Sequence, residues 1–148
     1  MSNKRDSATL IELQQHIVDL CKAFDVELVI EPTATNAHAE LKRFVQMMVA
    51  SGGRQYVNAV KEERRLVMMP ISNEMYYAVA LHELGHFCHP GGRLPNSRDA
   101  NGVINVKVAI EEEENAWTWA IHHALIWTMG CQDALDKGMK SYLKQVAA

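Results

Sequence analysis

The sequence predicts an α+β domain in which a small three-stranded sheet, antiparallel or mixed, packs against several helices. Three observations indicate this class. Long segments repeat apolar residues every three or four positions, as one face of a helix does. Short β-branched runs end at prolines, which is typical of strands. With 148 residues the chain is long enough to bury a core of its own, and we expect a single domain over residues 1–148.

The first elements are a helix predicted over residues 7–24 and a strand over residues 26–31, which Pro32 ends. The apolar stripe of this helix consists of Leu10, Leu13, Ile17, Leu20, Cys21 and Phe24. A second helix is predicted over residues 36–50, where helical spacing relates Leu41, Phe44, Val45, Met48 and Val49. Gly52 and Gly53 follow this segment, and glycine commonly ends helices.

A hairpin is predicted next, with strands over residues 54–60 and 65–69 and a charged turn at residues 61–64. The sequence then predicts a helix over residues 74–87. Ser72 or Asn73 would cap it, because the side-chain oxygen of either residue can accept a hydrogen bond from a free N–H of the first turn.

The C-terminal part is predicted to begin with a loop over residues 89–102, rich in Gly, Pro, Asn and Ser. A loop of this length is either a substrate-binding lid or a disordered segment. The longest helix is predicted over residues 106–129, where Gly130 would end it. A weaker final helix covers residues 133–146, interrupted by Gly138.

Composition restricts the partners that the chain can be expected to have. The net charge is −3 and no basic stripe is interleaved with aromatic residues, so we expect no nucleic-acid partner. The three cysteines are widely spaced and form no Cys-x-x-Cys pair, which favours reduced thiols and a cytoplasmic location. The apolar runs are too short to span a bilayer, and residues 1–9 lack the apolar core of a secretory signal, so no membrane partner is expected.

The most informative motif is His-Glu-x-x-His, formed by His82, Glu83 and His86. Residues four positions apart share one face of a helix, so both histidines can offer ring nitrogens to one metal ion. Zinc suits this pair, because imidazole nitrogen is one of its preferred ligands. Glu83 would point partly off that face, toward a metal-bound water, which is the place of a general base. Gly85 leaves room for another backbone or a substrate strand to approach.

A hydrolytic zinc site usually has a third protein ligand, and the run of glutamates at residues 111–114 is the best candidate. Most of these carboxylates should be solvated near the start of a helix, but four consecutive residues go once round it, so at least one faces inward. We favour Glu113, with Glu111 as the alternative, because Glu113 lies above a face marked by Trp117, Ala120, Ile121 and Ala124. Two further possibilities are His89, and Cys88 closing a purely structural site.

The order of strand, proline, HELGH helix, loop and a helix with Glu-x-x-Ala-x-x-aromatic-Ala resembles the small zinc metallopeptidases of the ImmA/IrrE family. The resemblance covers residues 64–120 and places the second motif on Glu113, Ala116, Trp119 and Ala120. It implies a minimal, gluzincin-like zincin domain in which a glutamate of the later helix completes the metal site. The sequence departs from the family twice. Trp117 stands where the family usually has Asn (Asn115 would take that role if Glu111 were the ligand), and His89 comes one residue early.

These observations predict a zinc-dependent peptidase that cleaves a peptide bond of a protein or peptide substrate. His82, His86 and Glu113 would hold Zn²⁺, and Glu83 would activate the water. The group that stabilises the oxyanion is left open among Tyr76, Tyr77 and His123, and Arg98 could bind substrate. The alternative is a catalytically weak zincin-fold protein with a binding or regulatory role, such as an anti-defence factor. The presence of Glu83 favours the enzyme, since a binding protein needs no base beside the metal.

Overall fold

The computed structural model describes residues 4–90 and 105–147, and in this part the chain has the predicted α+β architecture. The described residues form four helices and three strands, in the order α1 (Leu10–Ala23), β1 (Glu27–Ile30), β2 (His38–Val49), β3 (Gln55–Met68), α2 (Glu74–Cys88), α3 (Val106–His123) and α4 (Met129–Ala147). Of the loop predicted over residues 89–102, only His89 and Pro90 are described, and the rest of that loop, with Arg98, lies outside the described residues.

Helix α1 begins where its sequence places a capping box. The Thr9 hydroxyl accepts from the Glu12 N–H, and the Glu12 carboxylate accepts from the Thr9 N–H, both at 3.1 Å. Such a cap contributes about 1 kcal/mol to helix stability. Leu13, Ile17 and Cys21 form the buried face, so the predicted stripe is confirmed, although Leu10 at its N-terminal end is exposed.

The sheet is small and mixed, with strand order β1-β3-β2. The central strand β3 pairs in parallel with β1, Leu28 lying opposite Leu66, and in antiparallel with β2. The paired end of β3 is buried, with Leu66 and Met68 in the core. The strand predicted over residues 26–31 is therefore confirmed as β1. It pairs only with the last four residues of β3.

The helix predicted over residues 36–50 is wrong, because this segment is the strand β2. It hydrogen-bonds along β3 from His38 to Val49, with one bulge between Gln46 and Met47. Gly52 and Gly53 do not end a helix. They adopt φ angles of 92° and 81° and close the β2–β3 hairpin, in a backbone region that glycine enters without strain. Helical spacing of apolar residues predicts a helix only weakly. In this segment the long ladder of hydrogen bonds to β3 outweighs that local preference.

The charged turn predicted at residues 61–64 is also wrong, since β3 runs through it without a break. The register places Lys42 opposite Glu63 and Leu41 opposite Arg64. Further along, Arg65 contacts the carboxylates of Glu27 at 3.2 Å and Glu40 at 3.5 Å, one on each neighbouring strand. Opposite charges on facing strand positions stabilise a ladder, so a charged segment can continue a strand.

Helix α2 is the centre of the fold and confirms the helix predicted over residues 74–87. Asn73 caps it by accepting the Tyr76 N–H at 2.9 Å. It packs against α1, α3 and α4 and against β2 and β3. Its buried side includes Tyr77, Leu81 and Leu84, which make no contact with water.

The longest predicted helix ends six residues early, at His123, and Gly130 lies in the first turn of α4 instead of closing α3. Residues from elsewhere in the chain bind the backbone where α3 ends. The Leu125 N–H donates to the Tyr77 hydroxyl at 2.9 Å, and the Lys4 ammonium donates to the Ala124 carbonyl at 2.7 Å. These bonds satisfy peptide groups that a continuing helix would use itself.

Helix α4 is continuous, so the predicted interruption at Gly138 is wrong. This glycine lies against the indole of Trp117, where an added Cβ would be 3.0 Å from Cζ2.

Among the described helices, none is long and apolar enough to cross a membrane. The three cysteines are free thiols, as predicted.

Candidate metal centre

The two histidines of the motif lie together on the face of α2 that packs against α3. Their ring centroids are 4.7 Å apart, with the ring planes inclined by 67°. His82 is buried and His86 is half-buried, so both rings are largely removed from water. The spacing of four residues on a helix therefore produces the paired arrangement that the sequence predicts.

Gly85 allows the two helices to approach closely enough for a third group to reach the histidines. A Cβ at Gly85 would overlap the carbonyl oxygen of Ala116 and would lie 2.9 Å from its Cα. The backbones of α2 and α3 are thus in direct contact at this position. Glu113 precedes Ala116 by one helical turn, which places its carboxylate opposite the histidine pair.

The carboxylate of Glu113 contacts both histidines. Its Oε2 is 2.9 Å from His82 Nε2 and 2.9 Å from His86 Nε2. One donor atom of each residue lies within 4.8 Å of the other two, and this is a group that could hold a metal ion. Glu111, the alternative, is exposed. Of the two glutamates weighed from the sequence, the structure brings Glu113 to the histidines.

The charges in this cluster stabilise one another. Burial acts to raise the pKa of Glu113, but hydrogen bonds from His82 and His86 outweigh it and lower the pKa to about 2. Burial likewise acts to lower the pKa of His82, but the carboxylates of Glu113 and Glu83 outweigh it and raise the pKa to about 9. Without a metal and at a pH between these two values, His82 therefore carries a proton beside an ionised Glu113.

Glu83 lies at the side of the cluster, next to His82. Its Oε1 is 3.5 Å from Nδ1 of His82, the ring nitrogen that does not face Glu113. The side chain is 20% exposed, more than those of the two histidines at 10% and 14%. A carboxylate in this position is next to the histidine pair and still reachable from water.

Trp117 packs flat against His82 from the α3 side. The two rings are 4.2 Å apart at their centroids and 13° from parallel. Trp117, Ala120 and Ala124 are buried, which confirms most of the face predicted for α3. Ile121 is exposed, and its assignment to that face was wrong, because it is rotated by about 100° from Ala120.

The sequence did not single out Glu112, which is buried with its carboxylate between two imidazoles. Its Oε2 is 2.8 Å from His89 Nε2, and its Oε1 is 3.5 Å from His86 Nδ1. Glu111 and Glu114 are exposed, as expected for a solvated run. A signal was present in the sequence, since Glu112 follows Ala109 by three positions and precedes Ala116 by four, and both alanines are buried.

The remaining candidates have other contacts. Nδ1 of His89 is 3.2 Å from the Pro90 carbonyl, and its other nitrogen contacts Glu112, so the ring does not join the three donor atoms. Cys88 is half-buried, and burial raises the pKa of its thiol to about 11, which disfavours the thiolate that a metal requires. In the described part of the chain, the group of potential metal ligands contains no cysteine.

The residues considered for oxyanion stabilisation include two with structural roles. The Tyr77 hydroxyl forms a hydrogen bond of 2.7 Å with His16 Nδ1 and accepts from the Leu125 N–H, and burial raises the pKa of this phenol. His123 stacks on Trp119 at 4.2 Å and donates from Nδ1 to the Trp119 carbonyl. Tyr76 is half-buried beside the α2 cap.

A cavity of about 360 Å³ lies against the side of α3 that faces away from Glu113. Its lining is formed by His89, Pro90, Asn115, Thr118, Trp119, His122 and His123. Of these, His89 also contacts Glu112, so one residue links the cavity wall to the surroundings of the histidine pair.

No protein-family model matches the sequence, and the searches of curated proteins and of solved structures found no match either. The donor set itself indicates the chemistry that the cluster can support. Two imidazole nitrogens and one carboxylate oxygen are a common protein ligand set of catalytic zinc sites, in which the fourth position is left for water or substrate. The three residues therefore fit a zinc ion.

Proposed function

We propose that the protein is a cytoplasmic zinc-dependent peptidase of the zincin type, similar to the ImmA/IrrE family, that hydrolyses a peptide bond in a protein substrate. One observation carries this proposal. Nε2 of His82, Nε2 of His86 and Oε2 of Glu113 converge from two facing helices, with a second glutamate, Glu83, beside them. Free thiols at all three cysteines support a reducing compartment.

The zinc ligands in this proposal are His82 and His86 through Nε2, and Glu113 through its carboxylate. When bound there, zinc would polarise the substrate carbonyl and lower the pKa of a coordinated water toward neutrality. The carboxylate of Glu113 offsets part of the cation's charge. Trp117 covers one face of His82, which limits rotation of that ring and excludes water from that side.

Glu83 has the role of general base. Its carboxylate accepts a proton from the attacking water and then delivers it to the amine that leaves. Two properties suit this role, since the side chain lies beside His82 without occupying the position of Glu113, and it is partly open to solvent. General acid–base catalysis of this kind contributes about 10²–10⁴-fold to a rate.

The protein-binding alternative also has a structural observation in its favour. Beyond the four β3 residues that pair with β1, β2 and β3 continue as an arm in which apolar side chains face solvent. Val49 is 66% exposed and Val57 54% exposed, and Met47, Met48 and Tyr56 are exposed as well. Exposed apolar patches often mark protein–protein contacts. A catalytically weak protein that acts by binding, as an anti-defence factor would, uses this arm and needs no turnover at Glu83.

The variant Glu83→Gln separates the two functions. Zinc-loaded wild-type protein is incubated with a peptide library made from a cell lysate, and new peptide termini are counted by mass spectrometry. We expect Glu83→Gln to retain zinc and lose cleavage by about 10²–10⁴-fold, because only the proton acceptor is removed. Glu114→Gln, which changes an exposed carboxylate, is the matched control and should cleave like wild type. Equal cleavage by Glu83→Gln and wild type, or no cleavage by zinc-loaded wild type, would reject the peptidase.

A further inference from the structure

Glu112 presents a buried carboxylate to two imidazole rings at once. The residue is 6% exposed, and its two oxygens reach different histidines, Oε2 to His89 at 2.8 Å and Oε1 to His86 at 3.5 Å. A buried carboxylate is costly unless hydrogen-bond donors surround it. Both donors come from the C-terminal end of α2, whereas Glu112 belongs to α3, so the contact joins the two helices that carry the metal ligands.

His89 holds this carboxylate in place. The ring is 4% exposed and is bound at both nitrogens, since Nε2 contacts Glu112 and Nδ1 lies 3.2 Å from the Pro90 carbonyl. Rotating the ring would break both contacts. The position of the Glu112 carboxylate is therefore fixed from one side by a side chain that is itself fixed.

His86 lies between the two neighbouring glutamates. Its Nε2 faces Glu113 at 2.9 Å, and its Nδ1 faces Glu112. A neutral imidazole that offers Nε2 to a metal carries its proton on Nδ1, and a hydrogen-bond acceptor at Nδ1 selects that tautomer and orients the ring. Glu112 is an acceptor at the required nitrogen.

We propose that Glu112, anchored by His89, is a positioning residue that sets the tautomer and the ring orientation of His86 for metal binding. This inference rests on the proposed zinc site. It assigns two adjacent glutamates different roles, with Glu113 contacting the metal and Glu112 acting through His86. It also explains why a carboxylate in a charged run lies buried while Glu111 and Glu114, at the two ends of the run, are exposed.

Zinc affinity, measured by competition with a chelator of known affinity, tests the proposal without using activity. Glu112→Gln should bind zinc about 10–100-fold more weakly than wild type, the range found when an acceptor behind a ligating histidine is removed. The matched control Glu114→Gln should bind as wild type does. His89→Gln should weaken binding in the same direction but less, because Glu112 keeps its carboxylate and loses only its anchor.

A second readout separates positioning from a structural role. In zinc-loaded protein with ¹⁵N-labelled histidine, NMR identifies the proton on Nδ1 of His86, and its resonance should move in Glu112→Gln and stay in place in Glu114→Gln. Weaker zinc binding with an unmoved resonance would make Glu112 a structural residue and overturn the proposal. If circular dichroism shows that Glu112→Gln does not fold, zinc affinity and the His86 resonance are measured in His89→Gln and Glu112→Asp instead, and those two variants test the proposal.

The result for wild-type protein keeps the two proposals distinct. If wild type binds no zinc, the proposed function fails, and the inference about Glu112 fails with it. If wild type binds zinc and both Glu112→Gln and His89→Gln bind it equally tightly, the metal site stands and the positioning role is wrong.

Discussion

Glu113 shares its carboxylate between two histidines, and this sharing determines how protons and metal compete for the site. In the metal-free protein the neighbouring carboxylates outweigh burial and raise the pKa of His82 to about 9. Nε2 of His82 must be free of its proton before it can bind a cation. Zinc binding at the proposed site would therefore displace a proton at any pH below that value.

Proton release on zinc binding is the first prediction. Because His82 is protonated at pH 7 in the metal-free protein, about one proton or more should leave per zinc bound. Apparent zinc affinity should fall as pH falls below about 9, by roughly tenfold per pH unit for a single displaced proton. Calorimetric titrations at pH 7 in two buffers of different ionisation enthalpy give the number of protons directly. Identical binding enthalpies in the two buffers would contradict the shifted pKa.

Among single residues, helical geometry predicts some members of the site and misses others. Glu113 could be chosen over Glu111 because its position one turn before Trp117 follows from a period of 3.6 residues. The burial of Glu112 has a signal in the sequence, but its contact with His89 could not be predicted, since that contact depends on where His89 lies after α2 has ended. Chain segments that leave a helix have no period, and their contacts are set by the packing of α2 on α3.

Between elements, the contact at Gly85 sets the distance from which Glu113 reaches the histidines. Gly85→Ala places a Cβ against the backbone of Ala116, at 2.9 Å from its Cα, and backbone cannot move aside as a side chain can. We expect this variant to lose zinc affinity and to be destabilised by about 1–3 kcal/mol. Helix propensity alone would make Gly85→Ala more stable than wild type, because alanine is favoured over glycine inside a helix. An increase in the denaturation midpoint would show that the helices do not touch at this position.

The end of α3 depends on a bond from another helix. Tyr77→Phe removes the hydroxyl that bridges His16 Nδ1 and the Leu125 N–H, leaving two partly buried polar groups without this partner. We expect a loss of about 1–3 kcal/mol in the free energy of unfolding, measured with urea, and unchanged zinc affinity. A phenylalanine variant that keeps its stability but loses peptide cleavage would instead assign Tyr77 to catalysis.

The errors in predicting elements have a common physical origin. Residues 36–50 have helical spacing, and the segment becomes β2 because of hydrogen bonds to β3, whose charged residues in turn continue a strand because of their partners on β2. The early end of α3 reflects bonds from Lys4 and Tyr77. In each case the deciding partner is distant in sequence. α1, β1 and α2 were predicted correctly because capping residues, prolines and local periodicity define them.

In the whole molecule, the candidate site lies at the contact between the central helix and its neighbour, away from the sheet. α2 packs against every other described helix, so the two histidines stand on an element that is held by packing from several directions. The α+β class was predictable from composition and periodicity, whereas the mixed pairing of the sheet required long-range contacts. A metal bound by both α2 and α3 would link two helices that are separated in sequence by residues 89–105, and its binding would stabilise the folded state.

Zinc content of paired glutamate variants is the most direct test of the central claim that His82, His86 and Glu113 form a zinc site. Wild-type protein purified without chelator should contain about one zinc per chain, as a site with three protein ligands and one open position does. Glu113→Ala should lose that zinc, and Glu111→Ala, which removes an exposed carboxylate two residues away, should keep it. Zinc retained by Glu113→Ala, or absent from wild type, would contradict the site.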